Sequence, residues 1–465
     1  MLNKTIDYFK EISKIPRCSG HEGNIGSWII SWALEKGYQS KKDEVWNIVV
    51  LVPATVWMED CETVVLQSHI DMVCVKWNNS SHDFVNDWIE IIEEDWFLKA
   101  NNTTLWADNG IWVAMWLVAS GFEKHPRLEL FCTVDEEKGM TWALELKSGF
   151  LLWTKMINID TEHEGEIIIG SAGWAIIDIN TEFSLEDWEL EQYKINISWL
   201  KWWHSWLEID KSKWNVVDCL IQFLEKIWWD VEFYNINSWI AENIISKELE
   251  TIVWIENNSE IEQKIIEFKK EYIEKYEEDW IKISIEKVEF DWKTIWNINS
   301  NKIINAIKKS YSWVYDYSDI IDWLVKTSQN LWIIKLDNWE LEIRYLVRSF
   351  SDLEIDKLIR QKEKNFWEFT SVIVDNKYPG WEENKNSQLL KIVVESYKKI
   401  TNTNVLFNWI HAWLECWAIA DKMVENSEIV SIGPNIYWAH TENEKCEIRS
   451  VRVLLEILED ILKNI

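Results

Sequence analysis

Positive charge is in short supply in this chain: 48 basic side chains stand against 79 acidic ones, a formal net charge of −31 over 465 residues. Phosphate backbones are bound by Lys/Arg clusters that release counterions, so this balance argues against nucleic acid and anionic membranes as partners. Long apolar runs are missing too. No stretch approaches the roughly 18 residues needed to cross a bilayer, and the N-terminus carries charges where a secretory signal would need its apolar stretch. The seven cysteines are odd in number and lack a C-x-x-C spacing, which suits reduced thiols rather than a disulfide framework. The length leaves room for two to three domains and a real core. The expectation is a soluble, acidic, cytoplasmic protein.

Glycine is scarce as well, at 13 residues, while tryptophan reaches 36. Together they number 49, about 10% of the chain, against a usual glycine share of about 7%. Position tells the same story. Asp-Trp occurs at 87–88, 95–96, 187–188, 279–280, 291–292 and 322–323, and Asn-Trp at 338–339 and 408–409. Between the alternating runs Ile333-Ile334-Lys335-Leu336 and Glu340-Leu341-Glu342-Ile343, the turn reads Asp337-Asn338-Trp339. Asn-Gly there would signal a hairpin, because a type I′ turn takes positive φ at both central residues. Trp cannot take that conformation cheaply. The hypothesis is that most of these Trp are glycines in the living protein, read as Trp where the source decodes UGA as Gly.

Leu2, Ile6, Phe9 and Ile12 have the spacing of an amphipathic helix over residues 1–15. Short apolar runs follow, each ending in acidic residues or histidine. Val64-Val65-Leu66 leads into Ser68-His69-Ile70-Asp71, Leu128 to Val134 into Asp135-Glu136-Glu137, and Met156-Ile157-Asn158-Ile159 into Asp160-Thr161-Glu162. Ile111 to Ala119 reads as a helix opened by Ala107-Asp108-Asn109-Gly110. This alternation predicts an α/β fold whose ligands sit beyond the carboxyl ends of strands. From about residue 183 the pattern changes to a charged helix over 257–278 and strand-like stretches at 281–290 and 331–347. Near 378–385 the α/β pattern returns, and it ends in a helix from Val451 to Leu462. The predicted division is a discontinuous α/β domain, 1–182 with 385–465, and an inserted α+β domain, 183–384.

The polar ends of the runs carry the chemistry. His69 and Asp71 alternate at a strand end, so one suits an imidazole ligand and the other the carboxylate that orients it. Asp108 lies in a loop before a helix. Of the adjacent pair Glu136-Glu137, one can bind a metal while the other stays free as a general base. Asp160 ends a third strand, and His440 stands in Tyr437-Trp438-Ala439-His440-Thr441-Glu442. Such a set suits two zinc-class ions bridged by one carboxylate. Each signal alone is weak; their recurrence after half-buried apolar runs, where an unpaired charge is costly, carries the reading.

With Trp read as Gly, Ser-His-Ile-Asp-Met-Val (68–73), Thr-Thr-Leu-Trp-Ala-Asp-Asn-Gly-Ile (103–111), Thr-Val-Asp-Glu-Glu-Lys-Gly-Met-Thr (133–141) and Ile-Asn-Ile-Asp-Thr-Glu (157–162) closely resemble the aminoacyl-histidine dipeptidases. That family lies within the carnosinase, aminoacylase and carboxypeptidase G superfamily of di-zinc hydrolases. Leu200 to Trp206 is similar to the family's lid motif G-G-H-S-G, His411 to Trp417 to its H-A-G-L-E-C-G, and Ser431 to His440 to its S-I-G-P…G-A-H. The resemblance is collinear over nearly the whole chain.

It implies a di-zinc exopeptidase catalytic domain with an inserted lid and dimerisation domain. His69 and Asp160 would hold one zinc and Glu137 and His440 the other, with Asp108 bridging; manganese and cobalt are the alternative metals. Asp71 would orient His69, and Glu136 would be the general base for a water bridging the ions. His204 would stabilise the oxyanion from the lid, in trans across a homodimer. Asn215, Arg348 and Glu415 fall in segments similar to substrate contacts. The implied reaction is metal-dependent hydrolysis of dipeptides of the Xaa-His type. An N-acyl amino acid deacylase of the same superfamily, or a non-catalytic binding protein on this fold, are the alternatives. Lys213-Trp214-Asn215 replaces the family's usual Arg-Gly-Asn, which bears on substrate preference, and Trp202-Trp203 and Trp438, taken literally, would crowd the cleft. Reading the codons tests the glycine hypothesis: UGA at these positions is the expected result, and UGG would overturn it.

Overall fold

The N-terminal helix is present as Leu2–Ile12, with Ile6, Phe9 and Ile12 on its buried face. It belongs to a computed structural model that describes all residues except 78–79, 139, 141, 143–144, 148, 152–153, 188–190, 199–214, 228–230, 240–247, 256–260, 277–280, 290–292, 296, 311, 319–323, 370, 383, 385, 411–413 and 424–426. His204 with the rest of the lid motif, and His411 to Trp413, therefore lie outside the described residues. The chain divides into two units, Met1–Ser171 with Trp381–Ile465, and Ala172–Gly380. The first boundary falls before Gly173–Glu182 rather than after it. That strand pairs with Glu340–Ser349 on one side and Ser371–Tyr378 on the other, so it belongs to the second unit's sheet. The second boundary falls at 380 because Trp381 is hydrogen-bonded to Ser171.

The first unit is built on an eight-stranded sheet in the order Gln39–Lys42, Ile48–Val52, Leu128–Thr133, Val64–His69, Lys155–Asn158, Glu428–Ser431, Glu166–Ser171, Leu406–Ile410. The four strands from Leu128–Thr133 to Glu428–Ser431 run parallel. Every residue of Leu128–Thr133, Val64–His69 and Lys155–Asn158 is buried, as continuous apolar strands covered on both faces should be. Helix Ala107–Ala119 is buried along its whole length and packs on Val64–His69, between Leu2–Ile12 and Ile448–Asn464. A helix that is apolar all round has to be enclosed in this way. A smaller sheet, Ile436–Tyr437, Lys445–Glu447, Phe97–Ala100 and Ile91–Glu94, frames the loop carrying His440.

The second unit holds an eleven-stranded sheet whose pairings are all antiparallel among the described residues, with helices Val216–Ile227, Ile261–Tyr276, Asn297–Lys308 and Asp352–Asn365. The charged helix buries Phe268 and Tyr272, with Phe268 edge-on to Phe223. The chain is thus α/β with an inserted α+β domain. No helix among the described residues is long and apolar enough to cross a membrane. One expectation is corrected: Cys18 and Cys74 form a disulfide, with Cα atoms 5.8 Å apart, where a parallel bridge between Cys18 and Met72 brings their segments together.

Backbone conformation bears directly on the tryptophan anomaly. Among the described residues, 14 non-glycine residues have positive φ, and six of them are Trp: 46, 57, 96, 106, 339 and 438. Two two-residue hairpin turns among the described residues fit the type I′ reading, with φ of 50° and 70° at Asp95-Trp96 and 47° and 66° at Asn338-Trp339. Six buried tryptophans fare no better. The indole N–H groups of Trp106, Trp112, Trp116, Trp142, Trp332 and Trp409 have no hydrogen-bond acceptor, which a buried indole usually finds. Trp438 does not crowd the cleft as expected; it is 62% exposed, with Lys445 Nζ 4.9 Å from its ring centre. Trp96 and Trp339 are 81% and 46% exposed, so their replacement removes little packing. Trp96→Gly and Trp339→Gly should each raise stability by about 1–2 kcal/mol, the cost of left-handed backbone at an L-residue, as an upward shift of the denaturant midpoint. A downward shift would show that the indoles are native.

Candidate metal centre

Parallel strands end at one edge of a sheet, and three of them deliver polar residues there. His69 is the last residue of Val64–His69, Glu136 and Glu137 follow closely on Leu128–Thr133, and Asp160 follows Lys155–Asn158. Asp71 ties the first two together. Its Oδ1 accepts the backbone N–H of Glu136 at 3.0 Å, and its Oδ2 accepts that of Glu137 at 3.1 Å and the Ser19 hydroxyl at 2.7 Å. His69 Nδ1 lies 3.0 Å from the Asp71 backbone carbonyl and 3.3 Å from Asp71 Oδ1, which turns Nε2 toward Asp108 Oδ1 at 3.1 Å and Asp160 Oδ1 at 3.7 Å. Beneath them the strands are cross-tied. Gln67 donates to Thr133 Oγ1 at 3.2 Å and to Glu415, and accepts from Asn158 Nδ2 at 2.5 Å. Gly433 permits close approach on the other side, since a Cβ there would overlap the Thr161 carbonyl next to Asp160.

His440 completes the cluster from its loop, held at φ +62°. Its Nε2 lies 2.9 Å from Glu137 Oε1 and 3.0 Å from Asp108 Oδ2. The two oxygens of Asp108 therefore face different imidazoles. Three sets of donor atoms result among the described residues, His69/Asp108/Asp160, Asp108/Glu137/His440 and His69/Glu136/Glu137, each with its atoms within 4.8 Å of one another. Adjacent-residue reasoning left open which glutamate joins them; Glu137 meets His440. Both Glu136 and Glu137 line a cleft of about 590 Å³, together with His69, Asp108, Asp160, Glu162 and His440.

Electrostatics show what the cluster lacks. Burial pushes the Asp160 carboxyl well above its usual range despite His69, and Asp108 and Glu136 add repulsion. Burial does the same to Glu136, again against His69, with Glu415, Glu137 and Asp71 as like-charged neighbours. Burial also raises Glu162 and Glu415, each to about 7. Hydrogen bonds to Asp108 and Glu137 lift His440 to about 11. His69 is raised well above its usual value by Asp108 and Asp71, which outweigh burial. Asp108 is held well below the carboxylate range by the same two imidazoles, although burial opposes this. Oxygen and imidazole donors with surplus buried negative charge fit divalent cations of the zinc class.

The remaining sequence candidates lie elsewhere or in other roles. Glu415 is fully buried at the start of Cys416–Lys422, against Gln67. Asn215 and Arg348 are in the second unit. The Asn215 side chain accepts the Val217 N–H at 2.8 Å and donates to the Leu331 carbonyl at 2.7 Å, so it caps Val216–Ile227. Arg348 is buried in Glu340–Ser349, opposite Ser328 and Trp174. Sequence reasoning passed over Glu444, whose carboxylate accepts four backbone N–H groups from Leu105 to Asp108. Its only sequence signal is its place just beyond His440.

No family model matches the chain. It is 32% identical over 478 residues to the cytosol non-specific dipeptidase of Escherichia coli (strain K12), covering 99% of this chain and 97% of that one. Its structure is similar to aminoacylhistidine dipeptidase from Vibrio alginolyticus, with a TM-score of 0.90, 27% identity and coverage of 99% and 96%. An aminopeptidase from Bacillus cereus shares the fold at a TM-score of 0.55 and 13% identity, over 100% of this chain and 98% of that one. Fold, donor cluster and relatives define a metallopeptidase. The chain belongs to the cytosol non-specific dipeptidase family.

The raised histidines set the sign of a proton linkage. Their carboxylate neighbours make both imidazoles hold a proton more tightly than a free one when no cation competes, and a cation takes the lone pair that the proton occupies. Titrating Mn2+ or Zn2+ into chelator-treated protein at pH 7 in weak buffer should release protons. Binding without release would show that the imidazoles are not donors.

Proposed function

We propose that this chain hydrolyses dipeptides with two bound divalent cations, zinc by preference. The observation that carries the reading is the pair of contacts at Asp108, one carboxylate oxygen at 3.1 Å from His69 and the other at 3.0 Å from His440. His69 and Asp160 would hold one cation, Glu137 and His440 the other, and Asp108 would be shared. When bound, the cations supply Lewis acidity that polarises the scissile carbonyl and makes water acidic enough to be deprotonated near neutral pH.

The protein's own groups do the rest. Asp71 anchors Nδ1 of His69 and presents its Nε2 to the cluster, as a carboxylate partner does for a ligating imidazole. Glu136 lines the cleft and falls in a donor set only with His69 and Glu137, so it is the carboxylate left over when Asp108 is the shared donor. Its carboxylate accepts a proton from the attacking water and passes it to the leaving amine as the C–N bond breaks, so one water is consumed for each acid and amine formed. A carboxyl raised by burial and like charge is tuned for both transfers. The oxyanion role is assigned to His204 on the motif alone. Preference for Xaa-His substrates rests on the name of the Vibrio relative, while the Escherichia coli relative is named as non-specific. The same reading has the enzyme acting as a cytoplasmic homodimer, and its charge of −31 argues against nucleic-acid or membrane partners.

A three-member panel tests this: an Xaa-His dipeptide, an unrelated dipeptide and an N-acetyl amino acid, with Zn2+ or Mn2+ added. The expected result is metal-dependent cleavage of a dipeptide, with kcat about 10²–10⁴-fold lower in Glu136→Ala. Cleavage of the N-acetyl amino acid alone would assign a deacylase. No turnover by folded, metal-loaded protein would overturn the enzymatic reading.

A further inference from the structure

We propose that Glu444 is a positioning residue whose carboxylate clamps the 105–108 loop, so that Asp108 reaches both imidazoles. The inference rests on the reading of Asp108 as the shared donor. Glu444 is 4% exposed. Its Oε2 accepts the backbone N–H of Leu105 at 2.9 Å and of Trp106 at 3.2 Å, and its Oε1 accepts those of Ala107 at 2.8 Å and Asp108 at 3.2 Å. Four successive peptide donors converge on one side chain. They can do so because Trp106 is left-handed, at φ 64° and ψ 28°, and an αL residue in a turn aims consecutive N–H groups into one concavity. Those of Ala107 and Asp108 are also donors at the start of helix Ala107–Ala119, where no intrahelical acceptor is available.

The clamp is well supported on its far side. Arg17 is buried, and its guanidinium donates to the Ile12 carbonyl at 2.8 Å and the Trp106 carbonyl at 3.4 Å. The loop is thus gripped through its N–H groups by an anion and through a carbonyl by a cation. The arrangement is also specific to the site. Glu444 and His440 lie in one loop, between Ile436–Tyr437 and Lys445–Glu447, while Asp108 lies at the end of the segment Glu444 grips. One carboxylate therefore couples the two segments whose side chains meet at 3.0 Å, His440 Nε2 and Asp108 Oδ2. A donor displaced by about 1 Å loses most of its value to a site of fixed geometry.

Glu444→Gln is the informative change. It keeps the volume but turns one acceptor oxygen into an NH2 group facing two N–H donors. The expected result is a folded protein, unchanged by circular dichroism, whose Mn2+ affinity falls about 10–100-fold, as for other groups that orient ligands. Its kcat should fall with little change in KM, and amide exchange at 105–108 should quicken. Glu444→Ala, which removes the acceptor altogether, should show the same losses. Unchanged Mn2+ affinity and amide exchange in either folded variant would overturn the proposal. Asp108→Asn separates the two levels. Mn2+ binding lost in Asp108→Asn but intact in Glu444→Gln overturns only the positioning role. Mn2+ binding intact in Asp108→Asn overturns the reading of the site itself.

Discussion

His69 and His440 reach opposite oxygens of Asp108, and around that contact the fold gathers more buried negative charge than it can neutralise. Asp71, Glu136, Glu137 and Asp160 crowd the same sheet edge, and two imidazoles are the nearby cationic partners. In a medium less polarisable than water, carboxylates at such distances repel strongly. The raised carboxyls of Asp160 and Glu136 express that conflict. Ordinary stability would favour removing some of these groups. Their convergence makes physical sense for a site that works with extra positive charge, and it explains why the surrounding backbone is so heavily tied.

The ties are themselves carboxylates with peptide donors. Asp71 fastens the Glu136-Glu137 turn to the end of the His69 strand, and Glu444 fastens the Asp108 loop to the His440 loop. Both act as internal anions for backbone N–H groups that secondary structure leaves unpaired. Three of the six left-handed Trp fall in the same neighbourhood: Trp96 in the hairpin of the small sheet, Trp106 inside the Glu444 clamp and Trp438 beside His440. The conformations that present the donors are thus ones that suit glycine.

Much of this was legible in order. His69, Glu136-Glu137 and Asp160 each follow an apolar run, and a buried parallel strand has to end in something polar at the sheet edge. The Asn338-Trp339 turn was legible from the alternating runs beside it, since strand period and turn chemistry agree. Glu444 was not. A glutamate in an acidic, polar segment reads as solvated surface, and only the fold reveals the four N–H groups it meets. The Cys18–Cys74 pair was equally hidden, because an odd cysteine count says nothing of which segments a parallel bridge draws together. The unit boundary at 171 rather than 182 turned on hydrogen bonds from Gly173–Glu182 to strands far along the chain.

By itself, then, the sequence determined the α/β pattern, the inserted α+β segment and the residue types at each strand end, because periodicity and strand-end polarity are local properties. It also exposed the anomaly in glycine and tryptophan, since turns demand particular backbone angles over two residues. The tertiary structure alone decided which oxygen of Asp108 faces which imidazole and what Glu444 holds. Asp108 and His440 are 332 positions apart, and no local rule specifies a contact across that distance. Packing of the buried helix between two others, and of the small sheet that frames the His440 loop, brings them within hydrogen-bond reach.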